Sequence, residues 1–305
     1  MALKDPTPTR LTTNATVTSS ADSGSGSDRG TGALRYGALA TKQQVVLLLV
    51  RFRPGATAWG VTQLVQAPFR RPRDAGLVFQ KILGSGQNGG FGLRPGLNYQ
   101  GVFSVFDSED EAASYLQRSP QIATYLDHAE AAFAAQLAPL SCRGAWSGFT
   151  FGSLPPTPSA KQAEAASFVY PAETTAPGSH HSANPVASLT RASIRPLKAG
   201  AFWAQSPEAE ADLAHAPGCQ LAVGLGEAPL LRQATFSLWN DQSAMDAYAR
   251  SGAHQRAIQA AYGREFFSES MFVRFRPVGL YGQWNGLTFA PFPYALPPSF
   301  PAQTQ

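Results

Sequence analysis

Residues 45–52 form an almost unbroken apolar run, which predicts a strand. A helix-like stretch begins near Trp59, and short apolar runs at 77–83 and 99–106 predict two further strands. Ser108, with Glu111 three residues on, has the form of a capping box and predicts a helix entered at Asp107 or Ser108. The same succession returns later in the chain. Strands are predicted at 188–194, 219–225 and 232–239, with a helix-like stretch from Ala201. Asn240 or Asp241 opens a helix whose apolar positions (Met245, Tyr248, Ala249, then Ala253, Ala257, Ala261) keep helical spacing, and a strand at 270–275 closes the unit.

The two halves also resemble one another residue by residue. Phe103 and Ser104 match Phe236 and Ser237, and Tyr115 matches Tyr248. Arg53-Pro54 matches Arg195-Pro196, and Gly84-Ser85-Gly86 matches Gly224-Leu225-Gly226. Each half ends on a hexapeptide, Trp-Ser-Gly-Phe-Thr-Phe at 146–151 and Trp-Asn-Gly-Leu-Thr-Phe at 284–289. Four matches in one order imply an internal duplication. The order β-α-β-β-α-β is the ferredoxin-like unit. The expected fold class is therefore α+β, with two ferredoxin-like modules packed as an α+β barrel within one chain.

Composition sets the boundaries. Residues 1–43 are rich in Ser, Thr, Gly and Ala and read as a disordered extension; 152–188 read as a low-complexity linker. Module 1 is expected at 44–151, module 2 at 189–289, and a tail alternating proline with aromatics at 290–305. No run reaches the ~20 apolar residues of a membrane span and no leader is evident, so a cytoplasmic protein is expected. Two cysteines, Cys142 and Cys219, rule out a disulfide framework. The net charge of +4 is scattered, which argues against nucleic acid as a partner and is compatible with an anionic membrane surface.

Candidate chemistry is sparse. Aligning Tyr115 with Tyr248 sets Gln121 opposite His254, a histidine without a counterpart, amid the small residues Ser251, Gly252, Ala253 and Ala257. His254 is either a metal or cofactor ligand or a helix-end surface residue. His180 and His181 read as linker residues, and His128 and His215 as exposed helix positions. Cys219 reads as a buried cysteine heading a strand, with a thiolate ligand as the alternative. Arg-Phe-Arg-Pro occurs at 51–54 and 274–277. On a strand the two arginines of a pair share a face, suited to carboxylates or bound oxygen, or to solvent. Arg274 and Arg276, in the module of His254, are the preferred pair, with Arg195 weaker. Glu227 is either a proton-handling group at a pocket or a turn residue. The literal GxGxxG at 84–89 is followed by no helix to hold a pyrophosphate, and reads as a loop over a pocket.

The strings at 46–55, 84–95, 188–199, 224–239 and 266–277 together resemble the spheroidene monooxygenase family, over about residues 44–289. The resemblance implies an enzyme that oxidises C-2 of acyclic carotenoids to hydroxy and keto products. It also implies haem b as cofactor, dioxygen as co-substrate and a reduced ferredoxin as electron donor. No family motif fixes the iron ligand, so His254 rests on the duplication alone, with Arg274 and Arg276 as catalytic and Arg195 as cofactor-binding candidates. A substrate held in the bilayer further implies peripheral contact with the cytoplasmic face of the inner membrane, for which the tail from Phe289 to Phe300 is a candidate. Other readings are a haem- or carotenoid-binding protein without turnover, and a haem enzyme of the same barrel with different chemistry.

Overall fold

A computed structural model describes residues 41–69, 74–90, 94–151, 184–204, 212–213, 215–228, 231–250, 252 and 265–294. Module 1 comprises β1 (Gln44–Phe52), α1 (Thr57–Gln66), β2 (Leu77–Gly86), β3 (Pro95–Phe106), α2 (Glu109–Arg118), α3 (Pro120–Asp127) and β4 (Ala129–Gly144). Module 2 comprises β5 (Val186–Ile194), α4 (Ala199–Trp203), β6 (Cys219–Ala228), β7 (Arg232–Trp239), α5 (Gln242–Ala249) and β8 (Phe267–Trp284), with the short β9 (Leu287–Thr288). Strand order is β4-β1-β3-β2-β6-β7-β5-β8-β9, and β4 pairs with β8, so eight antiparallel strands close into a barrel. This is the duplicated α+β barrel that the pattern predicted. Closure removes the sheet edges that an isolated module would expose.

The caps sit where expected. Ser108 Oγ accepts from the Glu111 N–H, and Asp241 accepts from the Ala244 N–H at 2.8 Å. The closing strand is far longer than 270–275, because β8 spans the barrel and turns into β9 through Asn285 and Gly286, both at positive φ. β5 begins at Val186, inside the expected linker. Gly84 and Gly86 belong to β2 rather than to a loop. Register also corrects the glycine match: Gly84 pairs with Gly226 across the module boundary, and the bulges of β2 and β6 superpose at a two-residue offset from the sequence alignment.

Alternation gives each strand an inner and an outer face. The inner faces, with Leu47, Phe103, Phe133, Leu189, Phe236 and Phe275, form one apolar core that fills the lumen. The two hexapeptides plug it. Trp146 packs on Phe79 and Phe103 in one place, and Trp284 packs on Tyr99 in another. The tail is drawn into the fold as well. Phe289 lies 4.9 Å from the Phe133 ring, and Phe292 packs against the helix-covered apolar cluster of module 1, so these two aromatics are occupied by the protein itself. Residues 295–305, with the rest of the expected membrane tail, lie outside the described residues, as do 1–40, 152–183 and the histidines at 180 and 181. Among the described residues no helix is long and apolar enough to cross a membrane.

Candidate functional site

The filled lumen leaves the outer faces of the barrel, and here the modules diverge. In module 1 the outward side chains Val46, Leu48, Val50, Val102 and Ala134 lie buried beneath α1, α2 and α3 with Leu116, Ile122 and Leu126. In module 2 the corresponding apolar cluster among the described residues is Val186, Leu213, Trp239 and Met245.

Register makes the comparison residue by residue. One row across β8, β5, β7 and β6 is Phe272, Thr190, Thr235 and Gly224. Its module 1 counterpart is Ala134, Leu48, Val102 and Ile82, all buried. Thr190 is exposed although its strand is paired on both sides, and Thr235 and Phe272 are half-buried. The flanking rows are Arg274, Ser188, Ser237 and Ala222, and Ser270, Ala192, Gln233 and Gly226. Ser188, Thr190 and Ala192 stand where module 1 has Val46, Leu48 and Val50, and Thr235 and Gly224 where it has Val102 and Ile82, while Phe272 takes the place of the smaller Ala134. Among the described residues these positions form a floor of shorter side chains than the matching face of module 1 carries.

Polar groups border this floor. Asp246 on α5, only 8% exposed, accepts from Arg274 Nη2 at 2.9 Å and from Gln242 at 3.3 Å, with Arg250 at 3.4 Å. Arg274 lies 5.9 Å from the Phe272 ring centre. Ser188 and Ser237 hydroxyls are 2.9 Å apart, and the Trp239 indole N–H donates to Ser237. A groove of about 810 Å³ opens beside α5, lined by Asp212, His215, Asn240, Asp241 and Tyr248 among others. Burial, then the Asp212 carboxylate and Cys219, push the Tyr248 phenol well above its ordinary value, so it stays protonated.

The structure sorts the expected residues. Arg274 and Arg276 share the outer face, with Phe275 buried in the lumen; Arg274 is fixed by Asp246 and Arg276 is exposed. The Arg51 pair is not equivalent, because Phe52 is buried under the helices and Arg51 pairs with Glu130. Arg195 is exposed on the turn after β5. Ile194 pairs with Phe267, seven residues along β8 from Arg274, so about 23 Å of strand separates the two arginines. His254 lies outside the described residues; Gly252 is placed against Asp212. His128 is not a surface helix residue: it caps α3 and stacks on Trp59 at 4.0 Å. His215 is exposed in a turn rather than on a helix. Burial raises the Cys219 thiol to about 11, against a backbone hydrogen bond with Leu221.

A second polar cluster, for which only Glu227 was singled out, lies inside the barrel. Arg191, 2% exposed, donates to Glu227 at 3.1 Å and to Glu269. Glu227 also accepts from Lys81 at 3.2 Å and from the Trp146 indole. Burial pushes the Glu269 carboxyl up, but the backbone N–H groups of Ser147 and Gly148 and the Arg191 guanidinium outweigh it and hold it below its ordinary value. Arg191 occupies the place of Leu49 in module 1, so strand alternation marks it as an inward charge, a signal present in the sequence.

No family model matches the chain. A spheroidene monooxygenase of Rubrivivax gelatinosus is 44% identical over 242 residues, 79% of this chain and 85% of the relative. Another spheroidene monooxygenase, from Rhodobacter capsulatus, is 32% identical over 75% of this chain and 87% of its own length. Among solved structures, an aldoxime dehydratase in complex with butyraldoxime aligns with a TM-score of 0.51 at 11% identity, covering 79% of this chain and 81% of that one. That likeness is one of fold.

Proposed function

The chain belongs to the spheroidene monooxygenase family, and on that premise we propose that it oxidises C-2 of an acyclic carotenoid on the outer face of module 2. It is a monooxygenase, and its substrate is a carotenoid. The finer assignment is two successive hydroxylations. Each consumes one dioxygen, two electrons and two protons, inserts one oxygen into a C–H bond and releases water. The second gives a geminal diol that loses water to the ketone. A reduced ferredoxin is the proposed source of the electrons.

The observation that carries this reading is the replacement of Leu48, Val102 and Ile82 by Thr190, Thr235 and Gly224 at matching positions of the two modules. The residues of this floor would hold haem b, with His254 as the proposed ligand. The repeat supports that choice. Gln121, the counterpart of His254, reaches the outer face through Gln80 at 3.0 Å, and Ala222 takes the place of Gln80 in module 2. When bound, haem supplies the activation of dioxygen. The chain's own groups then have separable tasks. Asp246 holds Arg274 in a fixed orientation, which sets its guanidinium at the border of the floor. Arg276, exposed on the same face, suits a carboxylate of the cofactor. Thr190 presents a hydroxyl from the centre of the floor.

The test is to purify the protein with haem supplied and to record its absorption spectrum and its turnover of spheroidene with dioxygen and reduced ferredoxin, beside His254→Ala. The expected result is a Soret band that is lost or shifted in the variant, and hydroxy and keto products from the wild type only. A Soret band unchanged in His254→Ala removes the ligand assignment. A wild type that stays colourless with haem supplied removes haem.

A further inference from the structure

Resting on the reading of module 2 as a site for a water-insoluble polyene, we propose that the turn Pro196–Lys198, tipped by Leu197, docks this module on an anionic lipid bilayer. Leu197 is fully exposed, the most exposed large apolar side chain among the described residues. It follows exposed Arg195 and Pro196 and precedes half-buried Lys198. A leucine held out in water between two cations is the pattern of an interfacial anchor: the apolar tip enters the acyl boundary and the cations meet lipid phosphates.

Three observations separate this from an ordinary loose loop. The turn is pinned at its base, since the Arg195 N–H donates to the Phe266 carbonyl at 2.8 Å and the Lys198 N–H to the Arg195 carbonyl at 2.9 Å. Behind it, Phe202 of α4 packs edge-on against Phe266 and Phe267. Second, the tip is particular to one module. The counterpart of Arg195-Pro196-Leu197-Lys198 is Arg53-Pro54-Gly55-Ala56, where glycine takes a positive φ and Ala56, 5% exposed, turns inward to start α1. Third, the turn continues β5 directly, and β5 contributes Thr190 and Ala192 to the floor of the candidate site. Docking there sets the open face of module 2 at the lipid surface, so a carotenoid need not cross water to reach it.

The test uses full-length protein and vesicles of phosphatidylcholine alone or mixed with phosphatidylglycerol, read by flotation. Wild type is expected to bind the mixed vesicles and to be released by salt. Leu197→Asp should bind about ten-fold or more weakly, and Leu197→Ser less severely. Arg195→Glu should weaken binding by at least about five-fold. Leu197→Asp should keep wild-type thermal unfolding and wild-type turnover of carotenoid in detergent micelles, while its turnover of vesicle-embedded carotenoid falls. Binding unchanged in Leu197→Asp overturns the proposal. So does binding that follows Phe69→Asp instead, since Phe69 on module 1 is 85% exposed and is the competing contact. A wild type that ignores anionic vesicles overturns it as well. Absent turnover even in micelles instead strikes at the proposed reaction and leaves the lipid result to stand separately.

Discussion

Replacing Arg191 by leucine leaves two carboxylates in the lumen without their shared cation. Arg191 is the innermost member of the cluster, bonded to both Glu227 and Glu269. Removing one partner of a buried ion pair costs about 3–5 kcal/mol, because the remaining charge keeps its desolvation penalty. Here Glu227 retains Lys81 at 3.2 Å and the Trp146 N–H, and Glu269 is exposed enough to rehydrate, so the low end, about 3 kcal/mol, applies. With a urea slope on the order of 3 kcal/mol/M, the unfolding midpoint should fall by about 1 M. Leucine itself is acceptable there, because Leu49 is fully buried at the matching place of module 1. The double variant Arg191→Leu, Glu227→Gln should therefore lose less than the sum of the single variants, with a coupling of about 1.5 kcal/mol or more. A midpoint shift under about 0.3 M, or strict additivity, would refute the claim that these groups act as one buried network.

The two tryptophans of the repeated hexapeptide should respond differently to phenylalanine. Trp146 donates to a carboxylate while the buried Trp284 N–H has no partner among the described residues, so Trp146→Phe should cost about 1.5–3 kcal/mol more than Trp284→Phe in chemical denaturation. Glu269, held below its ordinary 4.5, contributes stability that is present above that value and is lost as pH falls through its folded pKa; Glu269→Gln should flatten the acid limb of the stability profile below about pH 4.5. Asp246→Asn should leave haem uptake in place but lower turnover at least about ten-fold by loosening Arg274, with kcat falling more than KM changes. An unchanged kcat in that variant argues that Arg274 has no part in the reaction.

The succession of elements, the caps and the duplication were legible because they are written locally: apolar runs, Ser108 and Asp241, and paired hexapeptides. The alanine-rich stretch of β4 was not, since its residues favour helix; it becomes a strand because both of its faces are buried, against the lumen and under the helices. The site was partly legible. Arg274 and Arg276 could be placed on one face by alternation, but their partner Asp246 comes from a helix, and only the fold brings the two together. Arg195 looked equivalent to them by residue type, yet strand geometry carries it to the far end of β5. The most informative signal was in plain view as a difference between the copies: Ser188, Thr190 and Ala192 where module 1 has Val46, Leu48 and Val50. Comparing outward positions after pairing the strands reveals it, whereas matching similar residues hides it.

The central claim is that chemistry takes place on the outer face of module 2, and Thr190→Leu tests it most directly by restoring the side chain that module 1 carries at the same place. The variant is expected to be a folded protein with wild-type thermal unfolding that has lost its Soret band and its carotenoid turnover. Full cofactor content and full turnover in Thr190→Leu would contradict it.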